Sequence, residues 1–262
     1  MTQSADPASP IRVPFLVRLG RRFGKDIVGR IPVAPARLAP GPATLSLCFD
    51  DFPRSAWQVA GPLLAALGVQ ASYYVSGGLL GQSPEGLPLC TEEDVVAAFA
   101  AGHEIGCHTY AHCRASRTPI EAFVDSLTRN DAFLRARLPG WSARSFAFPY
   151  GGTTLASRRA VAARFGFGRS TMPGLHRGWV DRSMLRAVGL ERDRGGVDVD
   201  AMVEETARQG AWLILYTHDV AEQPSPFGCT PDELGRVLRR ALAAGMAVLP
   251  VGAMVDRLGP PR

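Results

Sequence analysis

The chain has 262 residues, of which 46% are hydrophobic and 20% are charged, and its formal net charge is +5. This composition excludes a disordered protein and predicts one large globular domain. The positive charge comes from scattered arginines, because Lys25 is the only lysine, and no basic block with interleaved aromatic residues occurs. We therefore expect no nucleic-acid binding.

Residues 1–42 are predicted to be an N-terminal extension, partly flexible or amphipathic. Between residues 11 and 31 large apolar residues recur every four positions, with basic residues between them. This pattern is typical of a basic amphipathic helix on a membrane surface, but three glycines in the segment favour chain packed against the domain. No signal peptide or membrane-spanning run is recognised, so a cytoplasmic protein is predicted, with residues 11–31 as its candidate contact with the inner face of the membrane. Four prolines between residues 32 and 42 predict a linker.

Residues 43–262 are predicted to form a single catalytic domain. Short apolar runs alternate with longer stretches of helical spacing, which predicts a parallel sheet covered by helices. Thr91 and Thr230 are each followed by acidic residues and should begin helices. In folds of this class, ligands bind where the strands end at their carboxyl edge.

The first predicted strand ends in two adjacent carboxylates, Asp50 and Asp51. Because adjacent carboxylates repel, this arrangement indicates a bound cation or a division of roles. His108 and His112 follow another short apolar run. Two imidazoles with one carboxylate form the open ligand set that zinc uses in hydrolases, which leaves the second aspartate free to act as a base.

The histidine spacing alone is weak support for a metal site. The metalloprotease pattern requires a glutamate after the first histidine, and this chain has Thr109 there. Cys107 and Cys113 flank the pair and are alternative ligands. The five cysteines include no C-x-x-C pair, however, which favours reduced, mostly buried thiols.

Two more features follow apolar runs. The turn Phe148–Gly152 has the proline and glycines that let a backbone N–H face a ligand, as an oxyanion site requires. His218 follows a later run and is a candidate proton donor. Taken alone, the first is simply a turn and the second a structural histidine.

Together, Phe49-Asp50-Asp51, His108–His112, Phe148–Gly151 and Leu215–His218 resemble, in order and spacing, the motifs of the polysaccharide deacetylases. These are the family 4 carbohydrate esterases, also called the chitooligosaccharide deacetylase homology domain. The resemblance covers roughly residues 43–251. It implies an α/β fold, a distorted (β/α) TIM-like barrel of about seven parallel strands. It also implies a divalent metal ion, most often zinc, and removal of an N-acetyl or O-acetyl group from a sugar, glycan or glycan precursor.

The resemblance also implies roles for individual residues. Asp50 corresponds to the catalytic base, His218 to the acid, and the Tyr150 backbone N–H to the oxyanion donor. The implied metal ligands are Asp51, His108 and His112. The residues expected to contact the substrate are Phe52, Pro149, Gly151 and Arg186.

Three departures from the family pattern matter, and one is that many members are exported whereas this chain is not expected to be. Phe52 stands where the family usually has glycine, and Ala147 stands where it usually has the arginine that partners the base. The usual partner of the base is therefore missing, unless Arg144 or a later arginine such as Arg186 reaches it. Ala147 also keeps open an inactive glycan-binding relative, and a hydrolase of a non-sugar amide or cyclic imide remains a further alternative. The sequence indicates neither the sugar nor the oligomeric state.

Overall fold

The computed structural model describes residues 31–192 and 197–258 of the chain. The predicted amphipathic segment therefore lies, except for Ile31, outside the described residues. A compact unit spans Pro32–Arg262. Within the two described ranges, no helix combines the length and the apolar character needed to cross a membrane.

A curled parallel sheet forms the centre of the compact unit. The strands of the described chain, whether in this sheet or outside it, are β1 (Pro35–Arg37), β2 (Thr44–Phe49), β3 (Ser72–Val75), β4 (Glu104–Cys107), β5 (Ser145–Ala147), β6 (Phe167–Arg169), β7 (Trp179–Asp181), β8 (Val188–Gly189), β9 (Trp212–Thr217) and β10 (Ala247–Val248). Seven strands pair in the order β6-β5-β4-β3-β2-β9-β8, and β10 pairs with β2. All these pairings are parallel, which confirms the predicted distorted barrel of about seven parallel strands.

The sheet curls back on itself between its two end strands. A parallel bridge pairs Arg169 at the end of β6 with Leu185, in the segment that leads into β8. The interior is closely filled, and the Trp212 indole donates a hydrogen bond of 2.9 Å to Ser46 Oγ. The barrel is therefore a packed core, and its chemistry has to lie at a rim.

Seven helices connect and cover the strands in the described part of the chain. They are α1 (Arg54–Gln58), α2 (Ala60–Leu67), α3 (Glu92–Ala100), α4 (Ile120–Arg137), α5 (Leu155–Ala162), α6 (Val199–Gln209) and α7 (Pro231–Ala243). The predicted helix starts are confirmed. Thr91 forms a capping box at the start of α3, and Thr230 accepts a hydrogen bond from the Glu233 N–H at the start of α7. Both threonines satisfy backbone donors that the first turn leaves unpaired.

Part of the predicted linker is ordered structure within the compact unit. Strand β1 pairs with β7 in a separate antiparallel ribbon. The Asp181 carboxylate in β7 accepts hydrogen bonds from the backbone N–H groups of Val33 and Ala34 and pairs with the buried Arg158. These contacts attach residues 33–37 to the domain, although their proline content resembles that of a linker.

Asn130 in α4 fixes the strand ends that precede the histidine motif. Its side chain is fully buried. Its Oδ1 accepts a hydrogen bond of 2.9 Å from the Gly77 N–H, and its Nδ2 donates to the Val75 carbonyl at 2.9 Å and to Cys107 Sγ at 3.1 Å. One amide group thus joins α4 to the ends of β3 and β4, directly before His108.

We expect Asn130→Ala to lower the free energy of unfolding by about 2–4 kcal/mol, because it leaves buried backbone groups without partners. Chemical denaturation measures this change. The matched control is Thr128→Ala on the same helix, since its exposed hydroxyl bonds only within the helix. Its effect should stay within about 0.5 kcal/mol. Equal stabilities for the two variants would show that Asn130 does not anchor these strands.

Candidate metal centre and active site

The three predicted metal ligands converge at the carboxyl edge of the sheet. Asp51 follows β2, and His108 and His112 follow β4. His112 Nε2 lies 3.0 Å from Asp51 Oδ1, and His108 Nε2 lies 3.4 Å from the same oxygen. Each residue offers one ligand atom, and these atoms lie within 4.8 Å of one another. We refer to Asp51, His108 and His112 as the triad.

The triad has the features that a divalent cation requires. Asp51 Oδ1 is buried and has no hydrogen-bond partner among the described residues, although two imidazole nitrogens lie beside it. Ligands of a tetrahedral zinc ion at ordinary bond lengths lie roughly 3.4 Å apart. The two separations from Asp51 Oδ1 are close to this value, and all three ligand atoms lie within 4.8 Å, so the residues present fit a metal ion.

Hydrogen bonding and charge favour the metal-binding forms of these side chains. The His108 Nδ1 atom lies 2.8 Å from the Ala147 carbonyl, and an Nδ1–H donated there leaves Nε2 as the ligand atom. Burial alone would raise the pKa of the Asp51 carboxyl, but the imidazoles of His108 and His112 hold that pKa well below its usual range. The Asp51 carboxyl is therefore ionised at neutral pH, which is the form that binds a metal.

Backbone strain is concentrated in the loops of this site. The non-glycine residues with positive φ in the described chain are Asp51 (59°), Phe52 (50°), Thr109 (62°), His112 (50°) and Tyr150 (60°). All of them lie in the three loops that carry the predicted motifs. Such conformations cost of order 1–3 kcal/mol each and persist only where the surrounding structure imposes them. Their clustering supports a functional role for these loops.

The second aspartate, Asp50, is buried and bonded to a buried arginine. Arg169 Nη2 donates a short hydrogen bond to Asp50 Oδ1. The Arg169 guanidinium carbon lies 5.2 Å from the centre of the Tyr74 ring and 5.0 Å from that of Tyr216. Burial alone would lower the pKa of Arg169, but the Asp50 carboxylate beside it raises that pKa above its ordinary value. Asp50 thus has a permanent counter-charge in a fixed position.

The arginine beside Asp50 is not one of the two that the sequence suggested. Arg144 pairs with the exposed Asp256 at 3.0 Å, and Arg186 donates a hydrogen bond to the Pro173 carbonyl at 3.1 Å. Neither contacts Asp50, and the question that the sequence left open is answered by a different later arginine, Arg169. The available signal was a charge within the apolar run 167–171, since a charge in a buried strand requires a partner.

His218 completes the site at the end of β9. Its Nε2 lies 3.9 Å from Asp51 Oδ2, and its Nδ1 lies 3.7 Å from Glu191 Oε1 and 3.3 Å from the Phe227 carbonyl. One ring nitrogen therefore faces the triad while the other faces acceptors. Sequence reasoning missed Glu191, which is the second residue after the end of β8. Its place at the carboxyl end of a predicted strand was the available signal.

The residues expected to contact a substrate differ in how far they are exposed to solvent. The Phe52 ring is fully buried and lies 4.3 Å from the Tyr73 ring, so it fills the core instead of facing solvent. Pro149 is buried, whereas Gly151 is partly exposed. The Tyr150 ring is 54% exposed and lies 4.6 Å from the His112 ring. Arg186 is exposed. Within the Phe148–Gly152 turn, it is thus the Tyr150 ring that lies against the triad.

The two cysteines that flank the histidines do not join the triad. Burial raises the pKa of Cys107 to about 11, so it is a neutral thiol at physiological pH. Cys113 Sγ donates a weak hydrogen bond to Ser126 Oγ. Both cysteines therefore act as packing residues beside the site.

The polysaccharide deacetylase profile matches residues 38–168, which contain the triad, Asp50 and Tyr150. The chain belongs to the polysaccharide deacetylase family. This finding confirms the resemblance seen in the sequence motifs. No curated protein sequence matches the chain significantly.

Solved structures of CE4 family proteins share the fold of this family member. An acetyl xylan esterase of family 4 from Clostridium thermocellum, in complex with a cobalt ion, is 16% identical, covers 81% of this chain and 90% of its own, and has a TM-score of 0.57. The Bc1960 peptidoglycan N-acetylglucosamine deacetylase is 16% identical, with coverages of 84% and 90% and a TM-score of 0.56. A CE4 family pseudoenzyme from Bacillus anthracis is 15% identical, with coverages of 83% and 67% and a TM-score of 0.55. At these identities the likeness establishes the fold alone.

We expect the purified protein to bind about one equivalent of Zn²⁺ or Co²⁺ through the triad. His112→Ala should abolish stoichiometric binding, because it removes one of three ligands. Equilibrium dialysis with elemental analysis measures this. Cys113→Ser is the matched neighbouring control and should bind the metal as the wild type does. Loss of metal from the cysteine variant, or its retention in His112→Ala, would contradict this ligand set.

Proposed function

We propose that this protein is a divalent-metal-dependent hydrolase that removes an N-acetyl or O-acetyl group from a sugar, glycan or glycan precursor. The observation that carries the proposal is that two further side chains, Asp50 and His218, accompany the triad and are held by different partners. Asp50 is buried with Arg169, and His218 lies between Asp51 and Glu191. A base and an acid beside a metal site are the parts that amide or ester hydrolysis needs.

Asp51, His108 and His112 would hold the metal. A bound zinc ion would polarise the acetyl carbonyl and lower the pKa of a bound water toward about 7. We propose zinc because one carboxylate and two imidazoles form a ligand set that it commonly uses. In the reaction, these three side chains stay fixed while other residues move the protons.

Asp50 is proposed to accept the proton of the attacking water. Its ion pair with Arg169 holds the carboxylate in one orientation and supplies the charge that its burial requires. A base needs this fixed geometry, because a proton is transferred only across hydrogen-bonding distance. The rings of Tyr74 and Tyr216 beside the guanidinium limit its movement.

His218 is proposed to donate a proton to the leaving amine or alcohol. Its Nδ1 lies near Glu191 and the Phe227 carbonyl, which orient the ring and leave Nε2 toward the triad. The Tyr150 backbone N–H is proposed to bind the developing oxyanion, since the positive φ of this residue turns the peptide within the motif loop. Such a donor contributes roughly 3–4 kcal/mol to the transition state.

The interpretation as an inactive relative depended on Ala147. The absence of an arginine at that position suggested a base without its partner. Arg169 provides a guanidinium to Asp50 from the neighbouring strand, and Ala147 and Arg169 are directly paired in the β5–β6 register. This geometry favours the enzyme over the inactive alternative.

We expect Asp50→Asn to retain bound metal and to lose roughly a thousandfold or more in kcat, because the amide cannot accept the proton. His108→Ala should lose both metal and activity. Acetate release from N-acetylglucosamine oligomers, together with metal analysis of each variant, measures the two effects. Wild-type turnover in Asp50→Asn would contradict the role assigned to this carboxylate.

We expect Arg169→Ala to lower kcat by roughly a hundredfold, since Asp50 would be left as an uncompensated buried charge. The double variant Ala147→Arg, Arg169→Ala returns a guanidinium from the paired position and should recover part of that loss. Acetate release and chemical denaturation are compared for the single and double variants. Recovery of stability without recovery of kcat would assign Arg169 a purely structural role.

A further inference from the structure

Two arginines lie on the loop that follows the triad residue His112. They are Arg114 and Arg117. The loop lies next to the Tyr150 turn: Ser116 Oγ is so near Gly152 that a Cβ built on this glycine would lie 2.7 Å from it. The loop is also braced internally, since the Arg117 N–H donates a hydrogen bond of 2.9 Å to the Arg114 carbonyl. Both arginines therefore belong to an internally bonded loop that directly follows the triad.

The Arg114 guanidinium is stacked on the exposed tyrosine of the site. Its central carbon lies 3.8 Å from the centre of the Tyr150 ring, and the same ring lies 4.6 Å from the His112 ring. Tyr150 thus contacts both a triad imidazole and a guanidinium. Stacking on one face leaves the in-plane N–H groups of a guanidinium available, in the fork that matches a carboxylate or a phosphate.

Neither arginine forms an ion pair with a described residue. Other guanidiniums of the described chain do pair with carboxylates, for example Arg54 with Asp94 and Arg137 with Glu92. Arg114 therefore brings a positive charge without a carboxylate partner beside Tyr150, and Arg117 adds a second exposed positive charge on the same loop. Positive charge at this place attracts anions.

We propose that Arg114, with support from Arg117, binds an anionic group of the acetylated substrate. The shared chemistry is a carboxylate or a phosphate, carried by the reacting sugar or by the group attached to it. This inference rests on the proposed function and narrows its substrate class to acidic N-acetylated sugars. The stacked pair of Arg114 and Tyr150 sets where the anion lies relative to the acetyl group.

Three probes test this substrate class in the metal-loaded enzyme. They are neutral N-acetylglucosamine oligomers, a disaccharide that contains N-acetylmuramic acid, and uridine diphosphate N-acetylglucosamine. We expect kcat/KM to be at least about tenfold higher for one acidic probe than for the neutral one, with the preference decreasing as salt is added. The preferred acidic probe distinguishes the carboxylate source from the phosphate source.

Arg114→Ala should lower that preference about tenfold, and Arg114→Lys should retain part of it. The matched control is Arg129→Ala, because the Arg129 guanidinium also stacks on a tyrosine, with its carbon 4.3 Å from the Tyr110 ring centre. The control should leave the preference unchanged. Equal preferences in the wild type and Arg114→Ala, or no preference in the wild type, would overturn the inference.

Binding separates this inference from the proposed function. Calorimetry with the metal-loaded Asp50→Asn variant measures the Kd of each probe without turnover. Tighter binding of an acidic probe that is lost on adding Arg114→Ala supports the inference, even where no probe releases acetate and the deacetylase proposal fails. Acetate release combined with equal Kd values for acidic and neutral probes contradicts the inference and leaves the deacetylase proposal intact.

Discussion

The repulsion between two adjacent carboxylates governs the design of this site. Asp50 and Asp51 leave the end of β2 one after the other, and each receives a separate positive environment. Asp50 is bonded to Arg169, and Asp51 lies against the imidazoles of His108 and His112. The positive φ of Asp51 separates the two side chains in direction. Two chemically identical groups can therefore take different roles, because their surroundings differ.

The strained loops follow from the same requirement. A ligand set drawn from two strand ends must turn its side chains toward one point, and regular strand geometry directs successive residues to opposite faces. Asp51 and His112 meet this need in a backbone conformation that ordinary residues avoid. Phe52 adopts such a conformation where glycine would do so freely, and its buried ring packs on Tyr73. Core packing in this chain thus offsets a local cost that glycine would not incur.

The sequence predicted the sheet and the edge that carries the chemistry, because alternation of apolar runs and helices has few solutions. It did not predict the charged partners of Asp50 and His218. Arg169 is one of many arginines in a chain with a single lysine, and the identity of its partner depends on the register of β6 beside β5. Glu191 was missed because it follows a strand of only two residues. The ribbon of β1 and β7 was missed because proline-rich chain resembles a linker, whereas Asp181 fixes it through side-chain contacts between distant residues.

The position of the arginine follows from the geometry of parallel strands. Directly paired residues on neighbouring strands point to the same face of the sheet and lie about 4.8 Å apart. Ala147 and Arg169 are such a pair, and both side chains are buried within the barrel. A guanidinium at the end of a long side chain can reach Asp50 from either strand, provided that the other position is small enough to leave room. Ala147 leaves that room, and its carbonyl remains the acceptor for His108. The motif on β5 therefore lacks an arginine, but the barrel still places a guanidinium beside Asp50, because side chains from neighbouring strands meet at the rim.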